Sequence, residues 1–232
     1  RMILEGMAER RNNATVYFYL DEEKDHILLG ISSIDAQMKR ESEYARALKK
    51  TRELVDRDAL TKTKSKHAYK TMEEKLDRRI SAGVAVEFAV VVCDVNNLKQ
   101  VNDTMGHASG DELLAGLGLG LSTLFRATDI VGRIGGDEFL VLMRNISPDE
   151  ETKKREADKL LTFFRDFKVG EYVQYRCTAS IGGAVFSQDG GDFDELYKAA
   201  DNAMYESKRH GKNRVAYYGE VLEGPVIELG RH

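Results

Sequence analysis

Apolar runs of strand length alternate with amphipathic segments over most of the chain. The longest run is VAVEFAVVVCDV, and in GRIGGDEFLVLM two apolar runs flank a glycine pair in the manner of a hairpin. The pattern predicts strands at 84–95, 172–186 and 214–218, a hairpin at 132–143, and helices at 98–105, 110–125, 148–167 and 194–208. Such alternation is typical of one α/β or α+β domain in which helices cover a sheet.

The first 33 residues have a different character. Two β-prone runs, 16–20 and 26–31, lie on either side of a charged turn and predict a hairpin. A two-stranded hairpin is too small to fold by itself. We therefore expect residues 1–33 to be the end of a larger upstream domain.

A helical pattern follows at 34–56, where a 4-3 spacing passes through mostly apolar positions. An imperfect coiled-coil seam and an amphipathic helix packed on a neighbouring domain would both give this pattern. The positions are Ile34, Met38, Glu41, Ala45, Leu48, Arg52 and Val55. The predicted organisation is a hairpin at 1–33, a linker helix at 34–56, the main domain at 57–219 and a C-terminal tail at 220–232.

Composition narrows the class of protein. The 232 residues are 42% hydrophobic and 32% charged, which is typical of a soluble globular chain. The net charge of −4 argues against a general nucleic-acid binder. No apolar run approaches the roughly 20 residues of a membrane span, and no signal peptide is evident, so we expect a cytoplasmic location. Cys93 and Cys177 lie within apolar runs, which favours buried free thiols.

The predicted hairpin delivers two acids to the start of a buried strand. Gly135 and Gly136 are expected to take the positive φ values of a tight turn, and Asp137 and Glu138 follow them. A carboxylate beside a buried strand is costly unless it is paired, hydrogen-bonded or bound to a metal. Simple solvation of the two acids is the alternative.

Asp94 is a third acid, and it ends the most apolar predicted strand. If the hairpin strand lies beside that strand, Asp94 and Asp137 converge and offer the oxygen ligands that Mg²⁺ takes alongside substrate phosphates. Pairing of these acids with Arg or Lys is the alternative.

Two predicted helix starts lie between these acids, in the segment 94–114. Backbone N–H groups at helix starts can bind phosphate oxygens, whereas ordinary capping by Asn96 or Ser109 would give the same sequence pattern. His107 fits a turn residue better than a catalytic base. The sequence has no supported Ser-His-Asp or Cys-His group, so covalent catalysis has no candidate.

Several motifs in order resemble the GGDEF family of diguanylate cyclases over about 58–218. They are DALT at 58–61, the strand ending in Asp94, VNDTMGH at 101–107, GDELL at 110–114, GGDEF at 135–139, SIGGAVF at 180–186 and ADNAMYESKRHGKNRV at 200–215. The resemblance implies a βαββαβ core like that of nucleotidyl cyclases, with a mostly antiparallel sheet. It also implies that two GTP molecules are joined into cyclic di-GMP with release of pyrophosphate. The N-terminal hairpin resembles, weakly, the end of a PAS-type sensor domain.

The resemblance assigns roles to single positions. It implies metal ligation by Asp94, Asp137 and the carbonyl of Val95, for two Mg²⁺ ions with Mn²⁺ as a substitute, and catalysis by these acids together with Glu138. It implies contacts to GTP through Asn102 and Asp111 at the guanine, where a carboxylate accepts from the N–H donors that adenine lacks. The remaining substrate contacts implied are Leu98, Lys99, Gly135, Gly136, Lys208 and Lys212. A solvated helix face is the alternative for the two C-terminal lysines.

Regulation and assembly follow from the same resemblance. Arg126 and Asp129 match an inhibitory site for the product, with an exposed i, i+3 salt bridge as the alternative. Each domain would hold one GTP, so catalysis would need a homodimer. A catalytically inactive domain that binds cyclic di-GMP, and a pure dimerisation domain, are the competing functions.

Some positions depart from the family pattern. Asn96 and Asn97 stand where the family often has an acid and an aromatic residue, KTKSK follows DALT, and Lys212 stands where Arg is also common. None of these removes an implied metal ligand or guanine contact. They bear on the geometry around the triphosphate and on the start of the domain.

Overall fold

The structure, a computed structural model, describes residues 14–21, 26–168, 177–224 and 226. These residues form two compact units, and the division falls between Leu54 and Val55. The predicted strand segment 172–176 lies outside the described residues, as do 1–13 and most of the C-terminal tail.

The N-terminal unit contains one hairpin and one long helix. Strands β1 (Ala14–Asp21) and β2 (His26–Ser33) pair antiparallel, and helix α1 (Ile34–Val55) follows directly. The hairpin and the helix agree with the sequence predictions. Met38, Tyr44 and Leu48 are exposed on α1. Exposed apolar residues fit both interpretations of the 4-3 spacing, so the coiled coil stays a prediction.

The second unit is built on a five-stranded sheet. Its strands are β3 (Phe88–Asn96), β4 (Ile130–Arg133), β5 (Glu138–Arg144), β6 (Thr178–Val185) and β7 (Arg214–Tyr217). Their order across the sheet is β4-β5-β3-β6-β7, and every neighbouring pair is antiparallel except β6 and β7. The mostly antiparallel sheet and the βαββαβ core are therefore confirmed.

Helices cover both faces of this sheet. They are α2 (Lys66–Ser81), α3 (Leu98–Met105), α4 (His107–Leu124), α5 (Glu150–Asp166) and α6 (Phe193–Arg209). Because side chains alternate along a strand, β3 sends Val91 and Cys93 to the face under α3, α4 and α5, and Val90 and Val92 to the face under α2 and α6. Burial on both faces explains why β3 is the most apolar segment.

The sequence interpretation missed helix α2. Its sequence KHAYKTMEEKLDRRIS is largely charged, and Met72 and Leu76 are its only buried residues. The Ser65 side chain caps its N-terminus by accepting a hydrogen bond from the Ala68 amide. A capping serine followed by apolar residues four apart was the available signal.

Several predicted boundaries were wrong, and the alternative of capping by Asn96 or Ser109 is not observed. Helix α4 begins at His107 rather than at residue 110, so Ser109 lies inside the helix and donates to the Met105 carbonyl. Asn96 belongs to β3, and its amide lies 3.1 Å from the Thr178 hydroxyl and 3.0 Å from the Ser180 hydroxyl. The chain turns between α3 and α4 at Gly106, whose φ of 87° suits glycine.

Other segments agree with the sequence to within a few residues. Helix α3 has the predicted bounds, whereas β3 begins at Phe88 rather than 84, and α5, α6 and β7 differ by one or two residues at their ends. Cys93 and Cys177 are buried free thiols, as predicted. Burial raises the pKa of each thiol to about 12, so neither is a reactive thiolate at neutral pH.

Close packing of β6 on α6 predicts a large effect of a single methyl group. A Cβ at Gly182 would lie 2.0 Å from the Ala200 carbonyl oxygen and 2.2 Å from the Met204 amide nitrogen. We expect Gly182→Ala to lower the free energy of unfolding by about 1–3 kcal/mol or more, because backbone cannot move aside as a side chain can. Urea unfolding measures this change. Gly191→Ala, whose Cβ would meet only the Glu195 carboxylate at 3.5 Å, is the matched control and should be nearly neutral.

Candidate active site

The acids of the GGDEF motif lie against the end of the central strand. In the antiparallel pairing of β3 with β5, Asp94 stands opposite Glu138, one position beyond the pair formed by Cys93 and Phe139. The Val95 amide also donates a hydrogen bond to the Asp137 carbonyl, at 3.0 Å. The two motifs are therefore adjacent, as the sequence predicted they would be if these strands paired.

The turn that carries the acids is wider than predicted. Four residues, 134–137, connect β4 to β5, and neither Gly135 nor Gly136 takes a positive φ. Lack of space explains why residue 135 is a glycine, because a Cβ there would lie 2.7 Å from the Glu138 carboxylate. A Cβ at Gly136 would meet no atom within 4 Å. The surface just before Asp137 is therefore open.

Asp94 forms an ion pair within the domain. The Lys208 ammonium lies 2.7 Å from its carboxylate, and the two side chains are 24% and 15% exposed. Burial raises the pKa of Asp94 above its usual value; Lys208 opposes this rise, and the charge of Asp137 adds to it. Pairing with a lysine was the alternative to a metal, so a cation at Asp94 must compete with the Lys208 ammonium.

Glu138 completes an acidic group at this end of the sheet. Its pKa is raised first by burial and then by the charges of Asp94 and Asp137, which indicates that the three carboxylates interact. Glu138 also lines a cavity of about 290 Å³ between α2 and α6. The carboxylate is thus accessible from the side of the sheet that α6 covers.

Oxygen donors suited to a divalent cation are present in this group. Asp94 and Asp137 offer carboxylates, and the resemblance adds the carbonyl of Val95, a set of the kind that Mg²⁺ accepts. Across the described part of the chain, no group of three or more His, Cys, Asp or Glu side chains is arranged to hold a metal. The metal ligands implied by the resemblance include only two such side chains, Asp94 and Asp137, so the metal site stays a prediction.

The predicted guanine contacts lie on neighbouring helices. Asn102 is in α3 and Asp111 is exposed in α4, next to Gly110. A Cβ at Gly110 would lie 1.9 Å from the Asn102 side-chain oxygen, so the glycine makes room for this amide. That oxygen is buried and has no hydrogen-bond partner among the described residues. A buried acceptor without a partner costs about 1–3 kcal/mol, which a ligand that brings an N–H donor would recover.

The start of α3 offers main-chain donors near the acids. Asn97 takes the N-cap position with a φ of 65° and makes no side-chain cap. Leu98, the first helical residue, is 9% exposed, so its side chain belongs to the core and only its main chain can meet a ligand. Lys99 is exposed beside it. The predicted phosphate contacts at this helix start are therefore geometrically available but untested.

The C-terminal lysines flank the same acids. Lys208 lies in the last turn of α6, and Lys212 follows the helix with a φ of 62°. Lys212 is exposed, yet its charge lowers the pKa of Asp94. The solvated-face alternative is therefore wrong for Lys208, which is ion-paired and largely buried.

Arg126 and Asp129 lie at the opposite end of β5. Both oxygens of Asp129 accept main-chain hydrogen bonds, from the Arg126 amide and the Arg144 amide, each at 3.0 Å. Within the described ranges no ion pair joins the side chains of Arg126 and Asp129, so the predicted salt-bridge alternative is not observed. A cavity of about 470 Å³ is lined by Lys75, Arg79 and Arg144 at this end of the sheet.

Sequence reasoning missed one residue beside the signature turn. The Arg133 guanidinium donates to the Gly136 carbonyl from Nε at 3.2 Å and from Nη2 at 2.7 Å. Its Nη1 lies 3.3 Å from the carboxylate of Asp58 in the DALT motif. An arginine two positions before the glycine pair was the only available signal, and a pairing across 75 residues is not readable from spacing.

The comparisons with known proteins agree with this geometry. Residues 55–214 match the family described as "Diguanylate cyclase, GGDEF domain", and the chain belongs to that family. It is 30% identical over 206 residues to the cyclic di-GMP phosphodiesterase PdeR of Escherichia coli, covering 88% of this chain and 30% of that protein. It is 33% identical over 134 residues to the diguanylate cyclase DosC of Escherichia coli, covering 58% of this chain and 29% of that protein.

A solved structure shares the fold. The coiled coil and GGDEF domain of DgcB from Caulobacter crescentus, determined with c-di-GMP, matches with a TM-score of 0.66 at 23% identity, over 78% of this chain and 96% of that one. The chain spans between 24% and 37% of the length of the first curated relatives it matches. None of the helices in the described ranges is long and apolar enough to cross a membrane.

The ion pair of Lys208 with Asp94 can be tested by titration. Lys208→Met removes the cation that opposes the effect of burial, so we expect the pKa of Asp94 to rise further. Carboxyl-detected NMR of the metal-free protein measures it. Lys198→Met, which removes an exposed lysine paired with Asp194 on the same helix, should leave Asp94 unchanged. An unchanged Asp94 titration in Lys208→Met would show that the pair does not form in solution.

Proposed function

We propose that this domain is a diguanylate cyclase, which condenses two GTP molecules into cyclic di-GMP and releases pyrophosphate. The observation that carries the proposal is the β3–β5 register, which brings Asp94, Asp137 and Glu138 together in a member of the GGDEF family. A group of interacting carboxylates beside lysines on α6 suits a polyphosphate substrate with bound metal.

The proposal assigns metal and phosphate binding to particular residues. Asp94, Asp137 and the Val95 carbonyl would hold Mg²⁺, or Mn²⁺ in its place, two ions per active site. Such ions neutralise charge on the α-phosphate and lower the pKa of the attacking 3′-hydroxyl. Lys208, which pairs with Asp94, would contact the triphosphate if Asp94 held a metal ion, because one ammonium can neutralise either anion.

Positioning supplies the rest of the catalysis. Asn102 and Asp111 would hold the guanine between α3 and α4, and the carboxylate of Asp111 accepts from the N1 and N2 donors of guanine. Lys99 and Lys212, the main chain at Leu98, and the open surface at Gly135 and Gly136 would meet the triphosphate. Glu138 lies beside the metal ligands and completes the catalytic acids.

Assembly is part of the proposal. One domain presents one set of guanine contacts, so a second GTP must come from a facing copy in a homodimer. Helix α1 would set how two copies meet if its 4-3 spacing forms a coiled coil. Residues 1–33 would be the end of an upstream sensor domain of PAS type. The supply of GTP places the reaction in the cytoplasm.

Two observations favour a second function. Lys208 neutralises Asp94, and PdeR, a relative named for phosphodiesterase activity, matches most of this chain. These facts fit a catalytically inactive GGDEF domain that binds cyclic di-GMP. The intact acid pair argues for the enzyme, since a receptor does not need two metal-binding carboxylates.

Incubation of the purified protein with GTP and Mg²⁺, followed by chromatography of the products, separates these functions. We expect cyclic di-GMP and pyrophosphate from the wild type. Asp137→Asn should lower the rate roughly a hundredfold or more, because an amide is a poor Mg²⁺ ligand and the metal stabilises the transition-state charge. The fold should be retained, since the Asp137 main-chain bond to Val95 remains.

Controls make the result interpretable. Asp166→Asn, in an exposed pair with Arg165 on α5, should keep wild-type turnover. Wild-type turnover in Asp137→Asn would refute the metal assignment. If the wild type makes no product yet binds cyclic di-GMP in equilibrium dialysis, the receptor function is correct.

Product feedback is the regulatory part of the proposal. Arg126 is exposed, and its guanidinium can grip phosphate or a guanine edge with two parallel hydrogen bonds. The cavity lined by Lys75, Arg79 and Arg144 supplies further cations at that end of the sheet. Product bound there inhibits if it prefers an arrangement in which two catalytic halves are kept apart.

Arg126→Ala is the variant that tests feedback, because Asp129 is committed to main-chain bonds and its loss would disturb the fold. We expect an initial velocity within about twofold of wild type, as for a surface substitution. Added cyclic di-GMP should slow the progress curves of wild type and of Arg165→Ala, but not those of Arg126→Ala. Equal slowing in all three proteins would exclude Arg126 from the product site.

A further inference from the structure

Arg133 holds the peptide that precedes Asp137. Two nitrogens of its guanidinium donate to the Gly136 carbonyl, at 2.7 and 3.2 Å. That carbonyl and the Asp137 amide belong to one planar peptide, so fixing the first fixes the second. A Cβ at Gly136 would touch nothing, which means that side-chain packing does not hold this part of the turn.

Asp137 is held on its other side by the central strand. The Val95 amide donates to the Asp137 carbonyl at 3.0 Å. The peptides before and after the Asp137 Cα are therefore both restrained, and together they set the direction of its side chain. One restraint comes from β3 and the other from Arg133.

The third nitrogen of the guanidinium reaches the N-terminal turn, defined as residues 56–65. Arg133 Nη1 lies 3.3 Å from Asp58 Oδ1, and the two side chains are 16% and 24% exposed. The same oxygen accepts from the amide and the hydroxyl of Thr61, both at 2.8 Å. Burial alone would raise the pKa of Asp58, but these hydrogen bonds and Arg133 bring it below its usual value. Asp58 is therefore an ionised and oriented partner for Arg133.

The N-terminal turn is joined to the sheet beside Arg133. The Lys64 amide donates to the Val131 carbonyl, and the Lys64 carbonyl accepts from the Arg133 amide, both at 2.9 Å. The next residue, Ser65, ties the two ends of the turn together, because its hydroxyl donates to the Val55 carbonyl and its amide donates to the Asp56 carbonyl. A displacement of this turn therefore moves both Asp58 and the main chain of Arg133.

We propose that Arg133 is a positioning residue for Asp137, and that the N-terminal turn controls it through Asp58. The orientation of the metal-binding aspartate then depends on the segment that joins helix α1 to the catalytic domain. The catalytic part of this inference rests on the proposed function. The positioning part does not, because it is argued only from contacts among residues of the domain.

The alternative is that the Asp58–Arg133 ion pair only adds stability. Two conservative variants separate the possibilities. Arg133→Lys keeps the positive charge but loses the planar guanidinium that reaches both the Gly136 carbonyl and Asp58. Asp58→Asn keeps an acceptor for Thr61 but loses the negative charge. Arg165→Lys, in an exposed pair on α5, is the matched control. Thermal unfolding establishes that each variant is folded.

Amide hydrogen exchange of Val95 reads the position of the turn directly, because this amide bonds to Asp137. We expect faster exchange of Val95, on the order of tenfold, in Arg133→Lys and in Asp58→Asn, with the Val91 amide in the middle of β3 unchanged. The control should match wild type at both amides. Unchanged Val95 exchange in folded Arg133→Lys would overturn the proposal, and unchanged exchange in Asp58→Asn alone would overturn the role of the N-terminal turn.

Kinetics test the catalytic consequence. We expect kcat to fall roughly ten- to a hundredfold in both variants, with a higher Mg²⁺ requirement and an unchanged KM for GTP. The double variant should be no slower than the slower single variant, because both changes break one linkage. If a variant loses stability but keeps the wild-type kcat and Mg²⁺ requirement, the Asp58–Arg133 pair has only a structural role. If the wild type makes no cyclic di-GMP, the proposed function fails, while the exchange experiment still decides the positioning.

Discussion

The pairing register of β3 with β5 is the constraint on which the candidate site depends. It sets Asp94 opposite Glu138 and brings the Asp137 carbonyl to the Val95 amide. Because side chains alternate along a strand, a slip of one residue would turn Asp94 toward the opposite face and exchange the side chains that β3 packs into the two cores. The fully buried side chains of β3 on both faces therefore fix the position of the acids. The core determines the site geometry before any ligand binds.

The charges at this end of the sheet are balanced by distant parts of the chain. The charge of Asp137 raises the pKa of Asp94, and the charges of Asp94 and Asp137 raise the pKa of Glu138, so the three carboxylates would repel if they were left alone. Lys208, which opposes the rise in the pKa of both Asp94 and Glu138, comes from the last turn of α6. The proposed substrate, GTP with Mg²⁺, would bring both signs of charge and could replace the Lys208–Asp94 pair without leaving a buried charge uncompensated.

The two ends of β5 lie at two different candidate sites. Glu138 begins the strand at the acids, and Arg144 ends it at Asp129, so the ends are about 20 Å apart at roughly 3.3 Å per residue. If product binds at Arg126 as proposed, it therefore cannot compete directly for the acids of the same domain. Any effect on catalysis must pass through the arrangement of two copies or through the strand itself.

The sequence by itself determined the features that depend on residues close to one another along the chain. The apolar period of β3, the acids at the ends of β3 and of the turn, and the spacing of the family motifs predicted the sheet, most helices and the family. Helix α2 was missed because its charged residues obscure a narrow buried face, and Ser109 and Asn96 were misassigned because a capping pattern does not reveal which partner is near. Only the tertiary structure decided that Lys208 pairs with Asp94 and that Arg133 joins Gly136 to Asp58. Those contacts join residues 114 and 75 positions apart, and strand pairing and helix packing decide which distant side chains meet.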